Sequence, residues 1–380
     1  MSSDTTPAPS DPTTVVRQLL DLTSWQAFDI DADGRVLAGH DALGSLQLVE
    51  IDTDGTRTPL TDLPSRCSGR YVPGRRQVVV QHDNGGDELM QLSLLSLDPL
   101  PTRPVTLDEL TPLVRDPASM HVLRDVTPGT VVYSTNRRNQ VDMDVVVRDL
   151  ATGEETCVYD GGGYVADTVV SADHGSVAIT ALSLRPASTR VFLAGPRAVG
   201  DGAVTDPDEH AQHHSVAWAA GDEALLLSSN SGREFTAVFR VSLDGASWQP
   251  LVVDDEHDLL LWTSPDASAM VVGTLVDGAL RLAVHEADGT PRCAVELPEP
   301  GTADVVWAAD SSRFVLTVSA STSPASLYSV DAATGQATLL VDGREQLPGD
   351  LAGRLAEPTV HRVPTPDDEL VPCFLFRPPV

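Results

Sequence analysis

Short runs of four to eight residues, rich in Val, Leu and Thr and alternating apolar with polar, recur along the chain, and Asp-Gly or Pro-Gly corners close them. A period of two over such lengths predicts β-strands. Helical periodicity is scarce. The clearest exception is TTVVRQLLDL near the N-terminus, which reads as a short helix rather than as a strand able to complete another sheet.

The strands come in a repeat. A tight turn followed by a strongly apolar strand appears in DADGRVLAG at 31–39, YVPGRRQVVV at 71–80, VTPGTVVYS at 126–134 and SADHGSVAIT at 171–180. It returns in AAGDEALLLSS at 219–229, SPDASAMVVG at 264–273 and AADSSRFVLTV at 308–318. These seven copies lie roughly 40 to 55 residues apart, the spacing of four-stranded propeller blades. A second corner falls later in the unit, as in LQLVEIDTDGTR, VVVRDLATGEE, VFRVSLDGAS, LAVHEADGTPR and LYSVDAATGQA. Gly there accepts the positive φ of a hairpin turn, and the corners are expected to join the second strand to the third and the third to the fourth.

Two correlated signals over seven units predict an all-β, seven-bladed β-propeller over residues 25–346. A pair of β-sandwiches would not repeat at one near-constant period. Residues 1–24 read as a disordered lead and the short helix. Residues 347–380 break the period with a short helical stretch, a turn at Asp367-Asp368 and an apolar segment from Leu370 to Phe376 that looks like a strand leaving the propeller. The chain stops at Val380, where another domain could begin.

Composition narrows the functional classes. There are 55 acidic and 25 basic residues, every base is Arg, and the formal charge is −30. A field of that sign repels phosphate backbones, so nucleic acid is not an expected partner. No apolar run is long enough to span a bilayer, and MSSDTTPAPSDP lacks the basic start and apolar core of a secretion signal. Cys67, Cys157, Cys293 and Cys373 lie far apart without a CxxC pair, which supports neither a metal centre nor a disulfide framework. A cytoplasmic protein with free thiols and no cofactor is expected.

Three stretches resemble the N-terminal propeller of serine peptidases of the prolyl oligopeptidase family, particularly its acylaminoacyl-peptidase and dipeptidyl-peptidase-like branch. HDNGGDELMQL, with Asp83, Gly85, Gly86, Asp87 and Glu88, resembles that family's Asp-x-Gly-Gly-x-Glu turn. YSTNRRNQVDMDVVVRDLATGE resembles its Asn-Arg-Arg blade, and the tail resembles the strand that leads into its hydrolase domain. The resemblance implies a C-terminal α/β-hydrolase domain as partner, carrying the catalytic Ser, Asp and His, with short peptides as substrates and the propeller excluding large folded ones. No G-x-S-x-G elbow occurs in residues 1–380, so no catalytic residue transfers and the chain alone is expected to be inactive. The competing expectation is a stand-alone propeller of the TolB or WD type that binds a protein or peptide on one face.

Candidate sites follow from residue chemistry. Arg137 and Arg138 could grip a substrate carboxylate through their guanidinium forks, although ion pairs to Asp142 or Asp144 between blades are the stronger expectation. EHAQHHS at 209–215 gathers Glu209, His210, His213 and His214, but not at metal-ligand spacing, and reads as a solvated loop. Cys67 has no base that sequence places beside it. The turn at 81–92 reads as a hairpin corner of the second blade, with its acids in solvent.

Overall fold

The computed structural model describes residues 12–298 and 300–377. Of the disordered lead and short helix expected at 1–24, residues 1–11 lie outside the described residues. Helix Pro12–Leu20 is followed by seven antiparallel sheets, each built from consecutive strands and taken in chain order. Their first strands are Trp25–Ile30, Cys67–Tyr71, His121–Val126, Val165–Val170, His213–Trp218, Leu259–Thr263 and Gly301–Trp307. Six sheets have four strands. The fold is the seven-bladed β-propeller that the repeat predicted.

Both faces of a blade are buried against its neighbours, which explains why the second strands read as continuous apolar runs. Val78 and Val80 pack toward blade one, among Leu37, Leu48 and Leu95, whereas Val79 packs toward blade three beside Val131 and Tyr133. Seven such apolar clusters occupy the seven junctions between blades, the last joining blade seven to blade one. Each fully buried Val or Leu side chain contributes on the order of 1.5–3 kcal/mol, so the ring is held mainly by these junctions.

Among the described residues the ring closes without a shared strand. The last sheet takes its four strands from Gly301–Trp307 to Ala337–Val341 alone, and the helix Pro12–Leu20 pairs with none of them. At this seam Trp25, Ala27, Ile30 and Val36 pack on Ala308, Val315, Leu327 and Val341. The Ala27 amide donates to Thr317 Oγ1 at 2.9 Å, and the Thr23 amide donates to Gln346 Oε1 at 3.0 Å.

Blade four departs from the expected four strands. After Val165–Val170, Val177–Leu182 and Thr189–Ala194, the outer edge is covered by an isolated bridge between Phe192 and Ala203. The Leu193 amide donates to Gly202 O at 2.7 Å and the Val204 amide to Val191 O at 2.9 Å. The stretch GPRAVGDGAVTDP, with three glycines and two prolines, lacks the side chains that would hold a full strand.

The two repeating corners are also reassigned. The first joins strand one to strand two of its blade, and the second joins strand three to strand four. Hence every Asp-Gly corner of these sets lies on one face of the disc, and the connections from strand two to three and from blade to blade lie on the other. The chain enters and leaves the propeller on this second face, because it enters at the start of a first strand and leaves at the end of a fourth.

Candidate functional site: the channel and the exit face

The first strand of each blade is the innermost, so together they line a central cavity of about 760 Å³. Local breaks in strand pairing set its chemistry. Register shifts at Ala27/Asp29 and Val165/Asp167 place a carboxylate at the bulge. Asp29 and Asp125 stand next to last in their first strands, Asp167 and Asp304 further in, and each accepts from the following amide, those of Ile30 (2.9 Å), Val126 (2.9 Å), Thr168 (2.8 Å) and Val305 (3.0 Å).

Three of these carboxylates reach a neighbouring blade. Asp29 Oδ2 accepts from the Tyr71 amide at 2.8 Å, Asp125 Oδ2 accepts from the Val170 amide at 3.0 Å, and Asp304 Oδ1 accepts from Trp262 Nε1 at 3.2 Å. They are staples of the ring as well as its polar lining. Burial outweighs the nearby Arg70 charge at Asp29 and pushes its carboxyl up to about 6, and burial likewise raises Asp167. Arg70 lies 3.3 Å from Asp125. A second cavity of about 470 Å³ continues past Asp29 and Arg70 toward the face of the Asp-Gly corners.

The opposite face carries both chain ends and is asymmetric. The central hairpins of blades six and seven, Ala269–Val276 with Ala279–Glu286 and Arg313–Ala320 with Ser323–Asp331, are longer than their counterparts in the other blades. The tail adds a hairpin of its own, Thr359–Pro364 paired with Leu370–Leu375, where sequence suggested a single departing strand. It rests on the tip of blade six. Arg362 Nη2 donates to both Asp277 oxygens at 2.8 and 2.9 Å, and Gly278 lies so close to the Phe374 ring that a Cβ there would sit 2.5 Å from it. Between hairpin and blades opens a cavity of about 770 Å³ with Leu280, Leu297, Val360 and Phe376 in its wall. Across the disc, Val141, Tyr164, Leu182 and Leu184 are exposed near one another, the Leu182 amide donating to Tyr164 O at 2.9 Å.

The sequence-nominated residues occupy other roles. Arg138 forks onto Asp144, with Nε and Nη2 at 2.8 to 3.1 Å from its oxygens, and Arg137 donates to Glu155 Oε2 at 2.8 Å and Tyr133 Oη at 3.0 Å. Both pairs lie inside blade three, so the expectation of a bridge between blades is corrected: the loop 136–143 folds back on its own sheet.

The turn at 81–92 joins Gln77–His82 to Gln91–Ser96, the second and third strands of blade two. Gly85 and Gly86 take φ of 80° and 90°, as the corner requires. Its acids are not all in solvent. Asp83 is buried and accepts from the Gly86 amide at 3.0 Å, the Glu88 amide at 3.4 Å and the Ser65 hydroxyl, fixing the loop from inside. Asp87 and Glu88 are exposed, with Asp87 Oδ1 accepting from the amides of Asn84 and Leu89 at 3.2 and 3.1 Å.

The segment 209–215 is likewise not simply a solvated loop, because His213 opens the first strand of blade five and is fully buried, its Nδ1 2.9 Å from Ser229 Oγ. Burial holds its imidazole down at about 4, hence neutral at pH 7. Among the described residues, no three His, Cys, Asp or Glu side chains gather as a metal site requires. Burial pushes the Cys67 thiol up to about 11, the reverse of an activated nucleophile. No helix among the described residues is long and apolar enough to cross a membrane.

Sequence reasoning missed the channel carboxylates. Their signal is present all the same: an Asp followed by Ile, Val or Thr within a first strand, in AFDI, LRDV, VADT and TADV.

A disc of seven sheets with a polar axial channel and both chain ends on one face defines a propeller domain. The profile of the prolyl oligopeptidase N-terminal beta-propeller domain matches residues 131–343, more than half of the chain, and the protein belongs to that family. No curated protein matches the sequence. Among solved structures, one from an analysis of two prolyl endopeptidases superposes with a TM-score of 0.73 at 16% identity, covering 96% of this chain and 56% of the other. A Mycobacterium tuberculosis puromycin-hydrolyzing peptidase gives 0.73 at 17% identity, over 97% of this chain and 60% of the other. Prolyl oligopeptidase B from Galerina marginata gives 0.70 at 12%, over 96% and 57%. At these identities the likeness concerns the fold, and this chain spans less than two thirds of each of the three relatives.

Proposed function

We propose that this propeller gates a serine peptidase of the prolyl oligopeptidase family, of the acylaminoacyl-peptidase and dipeptidyl-peptidase-like branch. It would sit over a C-terminal α/β-hydrolase domain and admit short peptides. The observation that carries this reading is the shared face: the channel opens where the chain leaves, and the tail hairpin Thr359–Leu375 stands on that face beside the raised hairpins of blades six and seven. A domain continuing from the hairpin would meet the channel mouth. Selection by exclusion then needs no acid, base or nucleophile in the propeller, since a narrow axial channel passes an extended peptide and rejects a folded protein.

Two further facts support it. The Galerina enzyme has been seen with a 35mer hydrolysis and macrocyclization substrate, so a relative of this fold handles peptides. The sequence of 380 residues contains no G-x-S-x-G elbow. The test is twofold. A fluorophosphonate probe leaves the 380-residue chain unlabelled, and NMR titration with short unstructured peptides shifts resonances of channel residues, whereas a folded protein of similar composition shifts none. Labelling of the chain, or binding of the folded protein in preference to peptides, would overturn the proposal.

A further inference from the structure

We propose that Arg66, at the mouth of the central channel, is an anchor for a peptide carboxylate. The inference deepens the gating reading and rests on it. Arg66 directly precedes the innermost strand of blade two, Cys67–Tyr71, and continues its alternation: Arg66, Ser68 and Arg70 all line the central cavity, while Cys67 and Tyr71 pack into the junction with blade one.

The two channel guanidiniums differ in state. Arg70, deeper, is held 3.3 Å from Asp125. Arg66 is exposed and has neither a hydrogen bond nor an ion pair among the described residues. The wall's own carboxylates are already engaged, Asp29 by the Ile30 and Tyr71 amides and Asp304 by the Val305 amide and the Trp262 indole. In a chain of charge −30, a guanidinium without an internal acid at a cavity mouth is complementary to an anion supplied from outside.

Geometry selects a carboxylate. The planar fork of Arg binds one in a bidentate manner, and the Ser68 hydroxyl, on the same side of the strand about 7 Å along, keeps its proton available: its oxygen accepts from Gln81 Nε2 at 3.4 Å. The cavity of about 760 Å³ has room for a peptide of a few residues. A free C-terminus and an acidic side chain offer the same group, and the peptide chemistry tells them apart.

The experiment titrates the 380-residue chain with the tetrapeptide Ala-Ala-Leu-Ala as free acid, as C-terminal amide, and as an amide with Asp in place of the second Ala, by calorimetry at low salt. The acid binds about tenfold more tightly than the plain amide, the expected scale for one charge-assisted fork. The Asp-containing amide recovers the affinity if side-chain carboxylates also serve. Arg66→Gln lowers the acid to the level of the plain amide with an unchanged melting temperature, and Arg240→Gln, in the third strand of blade five, changes nothing. Equal binding of acid and plain amide, or a preference that survives Arg66→Gln, overturns the anchor and leaves peptide gating standing. If none of the peptides binds, both proposals fall.

Discussion

Arg76 and Glu50 form a two-pronged ion pair across the junction of blades one and two, with Nη1 to Oε2 at 2.9 Å and Nη2 to Oε1 at 2.8 Å. The Glu50 side chain is only 4% exposed, and beside that fork its Oε2 accepts from the Tyr71 hydroxyl at 2.8 Å. Burial and the Glu50 charge hold the Tyr71 phenol well above its usual range, keeping it a donor. Removing one partner of a buried pair strands the other charge. Arg76→Ala therefore lowers unfolding free energy by about 3 kcal/mol, read from urea denaturation, whereas Arg103→Ala, whose pair with Glu109 is far more exposed, leaves the urea midpoint close to that of the parent.

Asp29 makes stability depend on pH in the direction opposite to a paired surface acid. Its carboxyl is raised from 3.8 to about 6, so the folded state holds the proton over a range in which the unfolded chain has released it. Its contribution is greatest below about 4 and is lost as pH rises through 6. Asp29→Asn cannot ionise. Its stability relative to the parent shifts in the variant's favour between pH 4 and 7, by at most about 3 kcal/mol; a difference constant over that range would contradict the prediction.

Asp277 and Gly278 form the tight turn at the tip of blade six, with φ of 48° and 75°. Alanine at 278 is disfavoured by the backbone and collides with Phe374. Gly278→Ala should dislodge the tail hairpin while leaving the ring intact. Hydrogen exchange over 359–375 accelerates at least severalfold and exchange in the first strands stays as it was. Arg362→Ala produces a weaker version of the same effect.

The seam offers a fourth test. Thr317→Val deletes the acceptor for the Ala27 amide at nearly constant side-chain volume, leaving a partly buried donor unmet at a cost of about 1–2 kcal/mol. Because no strand is shared there, the loss falls on the contact between the first and last blades. Thr317→Ser, which keeps the accepting hydroxyl, should recover most of the urea midpoint; failure to do so would show that the loss arises elsewhere.

Much of the fold was legible because a propeller repeats a local rule. Corners such as DADG and DTDG demand positive φ at Gly, and the apolar strands after them have to be covered, so seven units could be counted from sequence. The count did not reveal which strands each corner joined, nor that GPRAVGDGAVTDP would leave blade four with three strands, since the weak bridge of Phe192 with Ala203 depends on how neighbouring blades pack.

The site was less legible, for a physical reason. A charged residue shows its type in the sequence but not its partner. Arg137 and Arg138 were expected to pair between blades and are claimed inside blade three by Glu155 and Asp144, Asp83 looked solvated and is buried under its own loop, and Arg66 attracted no notice yet faces the channel without a partner among the described residues. Sequence by itself determined the all-β repeat, the acidic field and the lack of a nucleophile elbow, because turn chemistry, strand periodicity and net charge are local or additive. Only the tertiary structure decided the channel lining, the strandless seam and the seat of the tail hairpin, because those rest on contacts between residues up to 323 positions apart, such as Thr23 and Gln346.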